Sequence, residues 1–241
     1  MFGLFRNKES VVGSGLLQGA VDNHSHILYG LDDGVKTPED SLSILAWLEE
    51  QGLKTLWFTP HVMDDVPHTT DGIRQRFAEL SAIYKGGLSF GLAAEYMMDN
   101  LYEERLSAKD LLTHGDDRVL VETSTWSPPI DLWGVLERTM AAGYRPILAH
   151  PERYRYMRKE DYRRLHEMGV LLQMNLPSIV GSYRNESQER AEYLLGRGWY
   201  CMVGSDCHRF QALQEQDTKK VLDKKTIRQL ADLMQGLPNR E

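Results

Sequence analysis

Short apolar runs alternate with longer amphipathic stretches along most of the chain. The runs read as strands: GAVDNH (19–24), KTLWFTP (54–60), GLSFGLAAE (87–95), DRVLVET (117–123), RPILAH (145–150), GVLLQMN (169–175) and WYCMVGSD (199–206). They carry β-branched and aromatic residues and are bounded by Gly, Pro, Asp or Asn. The clearest helix between them is TPEDSLSILAWLEEQG (37–52). Thr37 is an N-cap with Pro38 at the first helical position, and Asp40 three residues on approaches a capping box. Leu42, Leu45 and Leu48 form an apolar stripe with Ala46 beside them, and Gly52 closes the helix. Further helices are expected near 70–84, 130–142, 159–168, 185–196 and 223–235. Seven strands with a helix after nearly every one predict an α/β fold with a parallel sheet, closed or nearly closed as a TIM-like barrel. An open doubly wound sheet is the alternative. No G-x-G-x-x-G follows the first run and no P-loop occurs, which weighs against nucleotide binding.

The length of 241 residues suits a single barrel-type domain. The 28 basic and 35 acidic residues leave a net charge of −7, unfavourable for a nucleic-acid partner. No apolar run approaches the roughly 20 residues that span a bilayer, so no membrane span is expected. Cys201 and Cys207 form no C-x-x-C pair, and a reducing cytoplasm is the simplest setting. The start, MFGLFRNKES, is too short in apolar residues for a signal-peptide core and reads as a loosely ordered tail. The expected division is a tail over 1–18 and a barrel domain over 19–241.

Residues able to bind metal cluster at the ends of the predicted strands. His24 and His26 end the first, with Asp33 in the loop beyond; His61 follows the second. Glu95 ends the third, Glu122 the fourth and His150 the fifth; Asp206 and His208 follow the seventh. Each alone has an ordinary explanation as a turn or surface residue. Together they occupy the strand ends that share one face of a parallel barrel, the face that holds active sites. The H-x-H pair fits because residues i and i+2 of a strand point the same way. Imidazoles mixed with carboxylates suit borderline divalent ions such as Mn, Fe or Zn. Nine donors exceed one tetrahedral site and indicate a cluster with a bridging carboxylate, suited to clamping a phosphoryl group and activating water. His68, His114 and His166 lie outside this pattern.

The motifs DNHSHILYGLDDG, FTPH, GLAAEYMMD, VLVETS, ILAHPERY and GSDCH resemble the PHP (polymerase and histidinol phosphatase) metal-dependent phosphoesterases. The resemblance spans residues 20–210 and is closer to one branch, the bacterial PHP-type protein-tyrosine phosphatases of capsule and exopolysaccharide synthesis. It implies a distorted TIM-like (β/α)7 barrel holding three divalent ions, most often Mn. By that resemblance His24, His26, Glu95 and Asp206 hold the first ion, and Glu95, Glu122 and His150 the second. Asp33, His61 and His208 hold the third; the family spacing from His24 selects Asp33 rather than Asp32. Arg153 matches a phosphate-holding arginine, a role its fork of donors suits. With Asp206 and His208 it makes up the catalytic set. A second family arginine after D-x-H has no direct counterpart, because Arg209 comes too early.

The expected reaction is hydrolysis of a phosphomonoester by metal-activated water. The expected substrate is phosphotyrosine on the tail of a bacterial tyrosine kinase. Neither Cys201 nor Cys207 starts a C-x5-R motif, which excludes a cysteine phosphatase, and Cys207 is expected to face away from the metals. A histidinol-phosphate phosphatase would keep the metals and change the pocket. An open bowl edged by Tyr29, Trp126 or Tyr183 would favour a phosphotyrosine on a chain. A binding protein that had lost catalysis would lack ligands, and none is missing.

Overall fold

In the computed structural model, which describes residues 8–235, every paired strand is parallel. The smaller sheet contains β1 (Val21–Asp22), β2 (Thr55–Phe58) and β4 (Ser89–Leu92), in the order β1-β2-β4. The larger contains β3 (His61–Val62), β5 (Glu95–Met97), β6 (Arg118–Glu122), β7 (Arg145–Ala149), β8 (Leu171–Asn175) and β9 (Tyr200–Gly204), in that order. The predicted third strand (87–95) is therefore cut in two, at Ala93–Ala94, and a short strand not predicted, β3, follows the predicted second one. β2 and β3 are separated at Thr59–Pro60, where proline offers no N–H to a ladder. Hydrogen bonds from Asn23 N to Val203 O (3.2 Å), Asp206 N to His24 O (2.8 Å) and His26 N to Cys207 O (3.0 Å) tie the chain beyond β1 to the end of β9. The last strand of one sheet thus lies against the first strand of the other.

All six predicted helices are present: α1 (Pro38–Glu50), α2 (Thr70–Ile83), α4 (Leu132–Ala141), α5 (Lys159–Glu167), α7 (Asn185–Arg197) and α9 (Lys224–Leu233). The Thr37 side chain accepts from Asp40 N as its capping residues demand. The buried stripe of α1 is Ser41, Ile44, Leu45 and Leu48, while Leu42 is half-buried. Ser41 belongs there because its hydroxyl donates to Ile27 O at 2.6 Å. Three helices escaped prediction: α3 (Asn100–Ala108), α6 (Leu176–Ile179) and α8 (Phe210–Thr218). Each is short or mostly polar; α8 buries only Leu213, Gln216 and Asp217.

The register of the larger sheet decides what faces inward. Glu95 pairs with Leu120, Leu120 with Ile147, Ile147 with Leu171, and one step further Gln173 with Met202. Paired residues of parallel strands share a face, and so do alternate residues along a strand. On this face Leu120, Ile147, Ala149 and Met202 form an apolar cluster separate from the main core. The same face carries Glu95, Glu122, Gln173 and Asn175 nearer the C-terminal ends. Val119, Val121, Leu148, Leu172 and Val203 point the other way into the main core, against helices.

Residues 1–7 of the expected tail lie outside the described residues. The part that follows is not loose. Glu9 pairs with Leu222, Val12 N donates to Asp217 O at 3.0 Å, and Val11, Leu16 and Leu17 are buried in the main core. The apolar residues of 11–17 suffice to pin it there.

Asp217 is buried at the end of α8. Burial raises its carboxyl to about 7 against a donated bond from Gln216 Nε2, and the nearby Asp22 raises it further. The folded chain then holds a proton here that the unfolded chain releases near pH 4. Stability from this group is complete below pH 4 and declines as pH rises toward 7. Asp217→Asn should therefore gain on the parent chain by about 2–4 kcal/mol between pH 4 and pH 8. Urea denaturation at the two pH values measures this; an unchanged difference would refute it.

Candidate metal centre

The nine side chains singled out in the sequence all converge on the C-terminal ends of the strands. Each belongs to at least one group of three whose ligand atoms lie within 4.8 Å of one another. His24, His26, Glu95 and His150 are essentially inaccessible to solvent. His61 and Glu95 face the interior side by side, because β3 and β5 pair at these two residues. His150 and Asp206 sit just past β7 and β9 with φ of 35° and 51°. Such left-handed backbone costs roughly 1–3 kcal/mol per non-glycine residue. Behind His24 there is no spare room: a Cβ on Gly204 would lie 2.3 Å from His24 Cβ.

The imidazoles are oriented from behind. His24 Nδ1 lies 3.0 Å from Gln173 Oε1, and His26 Nδ1 lies 2.7 Å from Asp32 Oδ2. The oxygen end of Gln173 is the one facing His24, since its Nε2 donates to Met174 O and Asn175 Oδ1 while His150 N donates to Oε1. Both rings therefore donate from Nδ1 and turn Nε2 inward. The two Nε2 atoms lie 3.0 Å apart. Two imidazole lone pairs at that distance repel unless a proton or a metal ion satisfies them.

Glu95 stands at the middle. Its Oε2 lies 3.2 Å from His24 Nε2, 3.3 Å from His26 Nε2 and 3.0 Å from His61 Nδ1; its Oε1 lies 3.0 Å from His150 Nε2. Glu122 is 3.0 Å from His61 Nδ1 and 3.7 Å from His150 Nε2. His61 Nδ1 and Glu95 Oε2 are buried without an aligned hydrogen bond despite these short separations. Burial alone would raise Glu95, but the charges of His24 and His61 hold it well below the usual carboxylate range. Asp206 is held low in the same way by His24 and His26. Conversely, burial lowers His61 and His26 repels its charge, yet Glu95 and Glu122 lift it to about 10. The carboxylates demand positive charge against them.

A third group lies toward solvent. Asp33, 77 % exposed at its side chain, is 3.3 Å from His208 Nε2 and 3.7 Å from His61 Nε2. Arg153 Nη1 donates to Asp206 Oδ2 at 2.8 Å, and its guanidinium lies over the Tyr183 ring. A cavity of about 260 Å³ opens here, lined by Asp33, His61, Glu122, His150, Arg153 and His208 among others. Arg209 lines a neighbouring cavity of about 660 Å³ together with Asp33 and His208.

Sequence reasoning missed the supports. Asp32 orients His26 and accepts from His61 N at 2.9 Å. Asn175 Nδ2 donates to Asp206 Oδ2 at 2.5 Å. Asp32, beside Asp33, left a trace in the sequence; the neutral amides of Gln173 and Asn175 left none beyond their place on the inner face of β8. The three histidines set aside stay outside the centre. His68 bonds Leu31 O, His166 stacks on Trp199, and His114 is buried against Trp57 with its ring lowered to about 3. Cys207 is buried in the main core, as its place between two candidate ligands predicted.

The residues present fit divalent ions. Inward-facing ring nitrogens, a carboxylate bordered by four imidazoles, and buried unaligned donor and acceptor atoms are what a borderline cation would resolve.

A parallel βα fold carrying such an imidazole–carboxylate cluster at its C-terminal strand ends belongs to the general class of barrel-like metallohydrolase scaffolds. The overall backbone agrees: a crystal structure of the metal-dependent tyrosine phosphatases YwqE of Bacillus subtilis and CpsB of Streptococcus pneumoniae superposes with a TM-score of 0.74 at 22% identity, over 92% of this chain and 100% of that one. A Listeria monocytogenes lactonase superposes at 0.58 with 11% identity, covering 98% and 100%. The chain belongs to the CpsB/CapC capsular polysaccharide synthesis family, whose model matches residues 20–234. Tyrosine-protein phosphatase CpsB of Streptococcus pneumoniae is 30% identical over 206 residues, 80% of this chain and 84% of that protein. Tyrosine-protein phosphatase YwqE of Bacillus subtilis is 25% identical over 213 residues, 85% and 84%.

Removing the supports should loosen metal without unfolding the chain. Gln173→Ala and Asp32→Ala should each weaken Mn binding to the EDTA-stripped protein by about 10–100-fold. Isothermal titration would read this; affinities unchanged in both variants would show that neither residue orients a ligand.

Proposed function

We propose that this protein is a metal-dependent phosphomonoester hydrolase that removes phosphate from tyrosine in a protein substrate, a bacterial tyrosine kinase controlling capsule or exopolysaccharide synthesis. The observation that carries the reading is the clustering of nine donor side chains, six of which line a cavity walled by Arg153. The named activity of the curated relatives supports the substrate class.

In this reading His24, His26, Glu95 and Asp206 hold one ion, Glu95, Glu122 and His150 a second, and Asp33, His61 and His208 a third, with Mn first among Mn, Fe and Zn. Bound ions supply Lewis acidity toward the phosphoryl oxygens and lower the pKa of water to about 7. Arg153 presents a planar fork of donors to the same phosphoryl group. Asp206 holds that fork in place through the 2.8 Å bond and Tyr183 supports it from one side. His208 faces the cavity, with its Nδ1 fixed 2.9 Å from Asp206 O and its Nε2 turned toward Asp33. A phenolate leaving group, with a phenol pKa near 10, needs less proton help than an alkoxide.

The surroundings favour a substrate on a chain over a small enclosed one. Trp126 is exposed and Tyr183 lines a groove beside the cavity, as an open bowl requires. Tyr29 packs under Arg76 at 4.4 Å and lines neither the metal cavity nor this groove. Among the described residues no helix is long and apolar enough to cross a membrane. Cys201 and Cys207 are free thiols, in keeping with a cytoplasmic setting.

Phosphate release from a phosphotyrosine peptide and from histidinol phosphate, each with Mn and with EDTA, tests the assignment. The peptide should turn over with Mn, stop in EDTA, and fall at least about 100-fold in kcat/KM for His150→Ala. A preference for histidinol phosphate would keep the metals and overturn the substrate.

A further inference from the structure

Beside the metal cavity lies a second, larger one of about 580 Å³. Its lining includes Arg153, Arg155, Arg184 and Arg190, with Glu186 as its one acidic residue. This is a concentration of positive charge on a chain whose net charge is −7. The described arginines that form ion pairs are Arg76, Arg105, Arg138 and Arg153. Arg155, Arg184 and Arg190 are not among them, and Glu186 is the single acidic side chain that shares their groove.

Two of these arginines are held in place. The Arg155 guanidinium stacks on the exposed Trp126 ring at 3.9 Å, and its backbone N–H donates to Thr125 O at 2.9 Å. Arg190 Nη1 reaches Glu152 O at 3.4 Å. Arg184 is the N-cap of α7 and makes no side-chain cap bond, and this first turn lines the same space through Arg184, Glu186 and Ser187. Pre-positioned, unpaired guanidinium groups favour a fork-like oxyanion ligand.

Arg153 links the two spaces, since it lines both this groove and the metal cavity. A peptide that places a phosphate against Arg153 thereby runs its neighbouring residues along the groove. We propose, resting on the phosphatase reading, that the groove is a substrate subsite for a second oxyanion, a carboxylate or a second phosphate, on the peptide that carries the scissile phosphotyrosine. Substrate choice then depends on acidic neighbours as well as on the phosphotyrosine.

The test uses fluorescence anisotropy on the Mn-loaded protein. The probes are three peptides bearing a non-hydrolysable phosphonate at the tyrosine and flanked by Glu, by a second phosphotyrosine, or by Gln. The parent chain should bind one or both anionic peptides about tenfold more tightly than the Gln peptide, a few-fold per charge pair. The gap should shrink at raised ionic strength. In an Arg155→Ala/Arg184→Ala variant it should fall to within about twofold, with p-nitrophenyl phosphate turnover unchanged. A gain from Glu and phosphate alike defines a general oxyanion subsite; a gain from phosphate alone narrows it to a second phosphoryl group. Equal affinity for all three peptides, or a gap that survives in the variant, overturns the proposal. Phosphate release from a hydrolysable Gln-flanked peptide is followed separately. Its absence would count against the phosphatase reading, while the anisotropy result would still decide the groove.

Discussion

The structure turns on one crowded contact, the Glu95 carboxylate set among His24, His26, His61 and His150 at 3.0–3.3 Å. An ionised carboxylate in a site this dry is costly unless positive charge sits against it. The surrounding acids add to the demand. Asp32, Asp33, Glu122 and Asp206 lie around the same rings, with Arg153 as the nearby permanent cation. Protonated imidazoles could meet that demand only by crowding positive charge, because the Nε2 atoms of His24 and His26 lie 3.0 Å apart. Divalent ions meet it without that conflict, and the same charge then serves a phosphoryl group.

The fold is arranged to hold this contact rigid. One inner face of the larger sheet is apolar at its base, through Leu120, Ile147, Ala149 and Met202, and polar at its C-terminal rim. Rigid packing below fixes the strand ends above to the tolerance that metal ligands need. Gly204 lets the β9 backbone approach His24 closely, and the left-handed turns at His150 and Asp206 aim residues that have left the regular strands. Stability is spent at these two turns on geometry that only the site uses.

Much of this was legible because strand ends in a parallel α/β fold converge whatever the details of the sheet. His24, His26, Glu95, Glu122, His150 and Asp206 could be placed together from their positions after apolar runs alone. What failed depended on tertiary context. The cut at Ala93–Ala94 falls inside a run whose side-chain pattern does not change, and β3 is only two residues long, beyond the run 54–60. The polar helix α8 carries too few apolar residues to announce itself. Residues 9–17 look like a tail until Leu222 and Asp217 are seen to receive them. Gln173 and Asn175 are ordinary strand residues until the register of β8 places them behind His24 and against Asp206. The arginine groove was equally hidden, since its members come from two segments that meet only in the fold.

The most direct measurement is thermal unfolding of the EDTA-stripped chain with and without Mn, together with metal content by mass spectrometry. Binding to the folded state alone raises stability by about 2.7 kcal/mol at a hundredfold excess over Kd. The predicted result is three ions per chain and a rise in Tm of several degrees, lost when Glu95→Gln removes the central charge. A chain that retains no metal and melts at the same temperature with and without Mn would contradict the account.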